Sequence, residues 1–319
     1  MFKVGLVGAG AMGFPHANAI AKNENCVLTM VADLVIEKAE EIARLHNATA
    51  FTDYRDFCKN EEEKPDVVIL NLPHFLHYEA TVYFLNKGVN VLVEKPMAMN
   101  VEECDKMIEV AKQNGVKLGV GHVMQYMDGN TYIKEAVESG KYGKLVRMTE
   151  TRNTNYFKNR PAWFLDRNFS GGGITMNYGA HTLNRIFYIT GSELVSVNSM
   201  LSNFLNDCHI EEGSQFLAEF SDGFSASASY SGGEIPNQYE LNFYFTKGII
   251  KIIENDIYFY EGNEWKSYPM CTGDIYERQI ENLVLWLKGE ENMITTPEHG
   301  KKVIAGLEKI LSGNVLSDK

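Results

Sequence analysis

The sequence predicts an α/β protein, a doubly wound parallel sheet followed by a second, α+β domain on a mainly antiparallel sheet. Three observations predict it. Short apolar runs alternate with amphipathic stretches as far as residue 121, a glycine-rich turn follows the first of those runs, and beyond residue 145 the pattern changes to strands joined by tight turns. Alternating strand and helix gives a parallel sheet covered on both faces, whereas strands in succession give an antiparallel one.

The runs at 4–7, 27–32, 67–70, 89–93 and 116–120 are short and rich in valine, and turn residues bound them, as expected of strands buried on both faces. Between them 36–46, 76–87 and 101–114 carry apolar residues at helical spacing with charges opposite. A further helix is expected near 127–139. From 145 to 260 turn signals separate strands: Ser221-Asp222-Gly223 divides SQFLAEF from FSASASYS, and Lys247-Gly248 divides ELNFYF from IIKII. Inside this region 170–191 is an exception, where a glycine cluster opens an amphipathic helix. Helical periodicity returns at 276–287 and 298–311. No internal repeat or low-complexity linker interrupts the chain. The expected division is 1–122 for the parallel sheet and 123–319 for a second domain that binds substrate and mediates oligomerisation.

A chain of 319 residues accommodates two cores. Its net charge of -12 argues against a nucleic-acid partner, since phosphate backbones are held by clustered Lys and Arg. Cys26, Cys58, Cys104, Cys208 and Cys271 are scattered, with no CxxC pair and no His at zinc spacing, so reduced thiols are expected. The chain opens directly on a strand pattern and holds no run of membrane-spanning length. A cytoplasmic protein with no membrane partner is the expectation.

The first chemistry-bearing motif is GAGAMG at 8–13, a GxGxxG that follows a strand and opens a helix. Gly8 permits the tight turn, Gly10 lets the backbone approach a pyrophosphate, and Gly13 allows close packing of helix on strand, with Ala11 and Met12 between them. Unpaired N–H groups at the helix start favour phosphate. This is the dinucleotide fingerprint of a Rossmann domain. Asp33, at the end of the second strand, is placed to accept hydrogen bonds from an adenosine ribose. A 2′-phosphate there meets like charge, about 4 kcal/mol per unit pair at contact before screening. Leu34 and Val35 supply no cation, so NAD is favoured over NADP; capping of the helix that follows is the competing role for Asp33. Asn71, Pro73 and His77 lie in the loop after the fourth strand and are expected to flank the cofactor. His74 and His77 form an HxxH pair without a third ligand, so no metal site is expected. Glu94 and Lys95 stand at the carboxyl end of the fifth strand, where side chains face the ligand crevice of such sheets.

The second constellation is Gly171-Gly172-Gly173-Ile174-Thr175-Met176-Asn177-Tyr178-Gly179-Ala180-His181-Thr182-Leu183-Asn184. Its glycines permit close backbone approach, and Asn177, His181 and Asn184, spaced four and three apart, share a helical face. A polar stripe around a histidine points to a site rather than a core. Arg160 and Trp163, shortly before the glycines, suit hydroxyls and sugar faces, and His122 and Tyr126 can border substrate.

Taken together, GAGAMG, the EKP tripeptide at 94–96 and GGGxxxNxGxHxxN at 171–184 resemble the Gfo/Idh/MocA oxidoreductase family over essentially the whole chain. The resemblance implies a Rossmann domain, an open-sheet C-terminal domain, a nicotinamide cofactor and oxidation or reduction of a sugar, inositol or related polyol. It maps the family's EKP lysine onto Lys95, its catalytic histidine onto His181, and a cis bond onto Lys95-Pro96. Where family members often carry Asp, this chain has Asn177 and Asn184. An amide orients a hydroxyl or imidazole but accepts no proton, so His181 is expected as general acid/base and Asn177 as a positioning group. Lys95 then donates a hydrogen bond to the reacting oxygen and stabilises alkoxide. Two other readings stay open, a glycosidase using bound NAD transiently and a noncatalytic NAD-binding sensor. The small residues Ser225 to Ser229 suggest a sheet face that packs against another subunit, in a homodimer or homotetramer.

Overall fold

A computed structural model of the chain describes residues 1–204, 210–261 and 263–317; Cys208 lies outside them. The chain divides into two compact units, Met1–Val123 with Asp274–Lys301, and Met124–Gly273 with Lys302–Lys319.

The first unit is built from β1 (Phe2–Val7), α1 (Gly13–Lys22), β2 (Cys26–Ala32), α2 (Ile36–His46), β3 (Thr49–Phe51), β4 (Val67–Leu70), α3 (His77–Asn86), β5 (Asn90–Glu94), α4 (Val101–Asn114) and β6 (Leu118–Gly121). Its six strands are parallel in the order β3-β2-β1-β4-β5-β6. Every residue of β4 is fully buried, which explains why the strand is an unbroken apolar run. Local signals set the helix ends. Asn100 Oδ1 accepts the Glu103 N–H at 2.8 Å to start α4, and Gly115, at φ 66°, stops it. The strand order reverses between β1 and β4, and the crevice of such a sheet opens at that point, beyond the carboxyl ends of the strands.

The second unit contains α5 (Asp128–Glu138), β7 (Leu145–Asn153), α6 (Arg167–Ser170), a π turn at Thr175–Gly179, α7 (Ala180–Thr190), β8 (Leu194–Asn203), β9 (Gly213–Phe220), β10 (Ser225–Ser231), β11 (Gln238–Phe245), β12 (Gly248–Ile253), β13 (Asp256–Glu261) and β14 (Glu264–Pro269). After α8 (Ile275–Lys288) and α9 (Pro297–Leu311), β15 (Asn314–Ser317) completes a nine-stranded sheet, β14-β13-β12-β11-β7-β10-β9-β8-β15. Pairing is antiparallel except for β7 with β10 and β8 with β15. Both hairpin signals lie where expected, with Gly223 at φ 76° between β9 and β10. Burial alternates along β10, where Ala226, Ala228 and Tyr230 are buried and the serines between them are not, so the sheet covers its core with one face.

The expected division at 122/123 differs from these units at its far end. Residues 274–301 return to the first unit, because Ile280, Leu283, Val284 and Met293 are buried in one cluster with Leu6, Ala17, Ile20 and Ile42. The apolar stripe of α8 thus completes the core over α1. Periodicity announces such a stripe without saying which core it joins.

Candidate active site

In the first unit the glycine turn shows a separate reason for each glycine. Gly8 has φ +94°, and a Cβ there would lie 2.4 Å from Asn71 O; at Gly13 a Cβ would lie 2.9 Å from Ile42 Cδ1. Both positions are therefore fixed by the fold itself. Gly10 is exposed, and a Cβ there would meet nothing within 4 Å. Nothing inside the chain requires glycine at that position, which fits approach by a group from outside. Asp33 ties this turn to β2: Oδ2 accepts the Ala9 N–H at 2.9 Å, while Oδ1 accepts the Val35 N–H at 2.9 Å. It therefore serves the turn before α2 as well as the glycine loop. Asn71 donates its main-chain N–H to Val7 O at 2.7 Å, and its side-chain amide is buried with no hydrogen-bond partner among the described residues. A buried amide beside an open glycine turn suits a polar dinucleotide. Ala11 and Met12 are exposed at the helix start, and Pro73 is half-buried before the turn at His74–Leu76.

Lys95 follows β5 directly and is half-buried, and the Lys95-Pro96 peptide is cis. The groups expected near it have distinct positions. Glu94 is buried, with Oε1 3.0 Å from His16 Nε2 and Oε2 accepting the Lys95 N–H at 3.1 Å. The carboxylate thus ties the lysine main chain to α1, and the absence of a side chain at Gly121, whose Cβ would lie 2.9 Å from Glu94 Cδ, leaves room for it. The Tyr276 ring meets His16 edge-on at 5.1 Å; burial first, and Glu94 second, push its phenol up to about 12. His77 is fully buried, with Nδ1 2.7 Å from Pro96 O and Nε2 2.8 Å from Leu72 O. It links the loop after β4 to the turn after Lys95 rather than presenting its ring to a ligand. Burial lowers its pKa, against the pull of the two carbonyls. His122 is also buried, 5.9 Å from the His299 ring, and neither of its nitrogens has a hydrogen-bond partner among the described residues.

In the second unit the glycine cluster acts on its own chain. Gly171, at φ +81°, ends α6; a Cβ at Gly173 would lie 2.0 Å from Glu211 O, and one at Gly172 3.3 Å from Glu211 Oε1. Glu211 therefore occupies the space these glycines leave. Its Oε1 accepts the N–H of Gly173 at 2.8 Å and of Thr175 at 3.1 Å, anchoring the start of the helical segment. Asn177 lies in the π turn and is buried; His181, in the first turn of α7, is half-buried; Asn184 is buried and accepts from Gln125 Nε2. His181 is thus the most accessible member of the stripe. Tyr126 is buried, Trp163 packs edge-on to Phe164 at 5.1 Å, and Arg160 donates from Nε to Tyr156 O at 2.9 Å. Sequence reasoning missed His16 and Glu211. The position of His16 on the buried face of α1, between Gly13 and Ala17, was a usable signal, whereas Glu211 carried none.

Residues 2–122 match the model of an oxidoreductase family with an NAD-binding Rossmann fold, and residues 131–251 match the GFO/IDH/MocA C-terminal domain. Among curated proteins, a 1-carboxy-3-chloro-3,4-dihydroxycyclohexa-1,5-diene dehydrogenase of Comamonas testosteroni is 33% identical over 58% of this chain and 46% of its own length. A D-glucoside 3-dehydrogenase of Escherichia coli (strain K12) is 29% identical over 62% of this chain and 56% of its own. The match thus spans about half the length of these relatives. The crystal structure of the WlbA dehydrogenase from Bordetella pertussis, in complex with NADH and UDP-GlcNAcA, shares the fold with a TM-score of 0.86 at 20% identity, over 97% of this chain and 94% of that one. Two domain matches in succession, on a parallel sheet with its glycine turn and a nine-stranded second sheet, place the chain in the Gfo/Idh/MocA oxidoreductase family.

Proposed function

We propose that this protein transfers a hydride between NAD(H) and a secondary hydroxyl or carbonyl of a sugar, inositol or related polyol. The observation that carries the reading is Lys95: a cation at the carboxyl end of β5, in the same unit as an open glycine turn, with its main chain held by Glu94. Bound NAD supplies the hydride acceptor. Gly8, Gly10 and Gly13, with Ala11 and Met12 at the helix start, would hold its pyrophosphate, and Asn71 and Pro73 in the loop after β4 would contribute to the same site. Asp33 accepts from the adenosine ribose and disfavours a 2′-phosphate through like charge, so NAD is preferred to NADP. His181 removes the hydroxyl proton, its imidazole being the side chain whose ordinary pKa is nearest neutrality. Lys95 donates to the same oxygen and stabilises the alkoxide as it forms. Asn177 orients through its amide without taking a proton. The family assignment and the names of the relatives support a CH–OH substrate.

Lys95→Met tests this reading. It is expected to retain NAD affinity while kcat falls by at least about a hundredfold, the usual loss of an oxyanion-stabilising donor. Binding is followed by cofactor fluorescence, and turnover by nicotinamide absorbance with glycoside cleavage in parallel. Unimpaired turnover would remove Lys95 from the mechanism.

A further inference from the structure

We propose that the second unit contains a site for an oxyanion carried by the substrate, a carboxylate or a phosphate, with Arg152 as its principal contact. This inference rests on the sugar or polyol reading above and narrows it to acidic members of that class.

The observations concern charge and its neutralisation. On β7, Glu150 and Arg152 lie opposite Ala228 and Tyr230 of β10, the buried register of the sheet. The Arg152 guanidinium lies 3.8 Å from the centroid of the Tyr178 ring and 5.0 Å from that of Tyr239. Tyr178 directly follows Asn177 and precedes His181 by three residues, so Arg152 is seated against the segment that carries the polar stripe. Stacking engages the face of a guanidinium and leaves the N–H groups in its plane to meet a planar or tetrahedral acceptor. Its main chain pairs with β10 and β11, but among the described residues the Arg152 guanidinium makes no ion pair and no side-chain hydrogen bond, and the residue is half-buried rather than fully solvated.

A second guanidinium deepens the imbalance. Arg185 is 2% exposed, its Nε donates to the neutral amide oxygen of Asn130 at 2.9 Å, and it too lies within reach of the Tyr239 ring, at 6.0 Å. Glu150, 3% exposed, is a buried carboxylate in this neighbourhood, and its Oε2 accepts from Thr182 Oγ1 at 2.6 Å; the exposed Glu254 accepts the Tyr239 main-chain N–H at 3.2 Å. Glu150 and both arginines act on the Tyr239 phenol: burial raises it most, Glu150 adds to the rise, and the two arginines oppose it. Two guanidinium charges thus stand beside the buried Glu150, while the other carboxylate, Glu254, is exposed on the main-chain side of Tyr239. Asn177 and Asn184, on the adjoining segment, add no negative charge. Buried charge without a counter-charge is costly, and an arriving oxyanion meets a preorganised partner whose desolvation is already half complete. Arg185, anchored and enclosed, supplies field, while Arg152 supplies the contact.

The test measures binding apart from turnover. Wild-type enzyme saturated with NAD is titrated calorimetrically with glucose, glucuronate and glucose 6-phosphate, and nicotinamide absorbance is followed in separate assays. The expected result is that one of the two anions binds at least about tenfold more tightly than glucose, the scale of one charge-assisted contact. Preference for glucuronate identifies a carboxylate, and preference for glucose 6-phosphate a phosphate. Arg152→Gln is expected to bring the anion to within about twofold of glucose, and Arg152→Lys to retain part of the difference. Should the glutamine variant fold poorly, the wild-type ranking alone still decides. Glucose equalling or exceeding both anions, no binding by any of the three, or an anion preference that survives Arg152→Gln overturns the proposal. Because binding is read apart from nicotinamide absorbance, a charge preference without turnover would leave the oxyanion site standing and count against hydride transfer to these three compounds alone.

Discussion

His122 shows how a single buried side chain sets a pH limit on the first unit. Burial is the main cause that holds its imidazole well below the usual histidine range, and His299 and Lys95 add to the effect. The folded chain therefore keeps His122 neutral, while the unfolded chain protonates it near pH 6.5. Its contribution to stability is complete above about pH 6.5 and is lost as pH falls, because the unfolded state then binds the extra proton. In thermal melts between pH 7.5 and 5, His122→Gln is expected to reduce the acid slope by up to about 1.4 kcal/mol per pH unit. An unchanged slope would show that His122 is not the titrating group. At this scale the sequence was most informative at the glycine turn of 8–13, where Gly8 and Gly13 are each fixed by close packing and Gly10 is open. It was least informative where a role depends on a distant partner. His77 reads as a cofactor neighbour from its loop, yet both ring nitrogens face main-chain carbonyls. His16 reads as an unremarked helix residue, yet it holds Glu94.

The segment that carries Asn177 and His181 depends on an element far from it in sequence. Glu211 caps the start of that segment through two buried N–H groups, and its main-chain oxygen accepts from Ile174 at 3.1 Å. Burial raises the Glu211 carboxyl, and the N–H groups it accepts from pull it back. Glu211→Ala strands both donors, so a loss on the order of 2 kcal/mol or more is expected in urea unfolding, at about 1–3 kcal/mol per unsatisfied buried group. Glu211→Gln retains a carbonyl acceptor and should recover most of it. A Glu211→Ala protein as stable as wild type would show that the cap is dispensable. The hairpins of the second sheet were readable because Asp222-Gly223 and Lys247-Gly248 encode their turns locally. The π turn at Thr175–Gly179 was not, since an inserted residue in a helical ladder leaves no mark in hydrophobic period. Nor was β3, three residues long and defined by pairing with β2, or β15, whose parallel partner β8 lies more than a hundred residues earlier.

For the whole molecule, the main departure from the sequence reading is that each unit is made from two separated stretches of chain. A doubly wound sheet of residues 1–123 looks self-sufficient in sequence, with its strands and helices in regular alternation. Its core is nonetheless finished by residues from 274–301: Ile280, Leu283 and Val284 of α8 and Met293 after it are 3% exposed or less, with Tyr276, Trp286 and Leu287 packed at the margin. Removing four fully buried side chains of this size withdraws about 1.5–3 kcal/mol each, an amount comparable to the total stability of a typical domain. A fragment of residues 1–123 is therefore expected to lack a cooperative thermal transition and to bind the dye ANS, whereas the same fragment joined through a flexible linker to residues 274–301 should melt cooperatively and bind NAD. The comparison isolates the contribution of α8, because the glycine turn, Asp33 and Lys95 are present in both. A cooperative melt of 1–123 alone, at the same midpoint as the joined fragment, would show that the parallel sheet is complete without the returning helix.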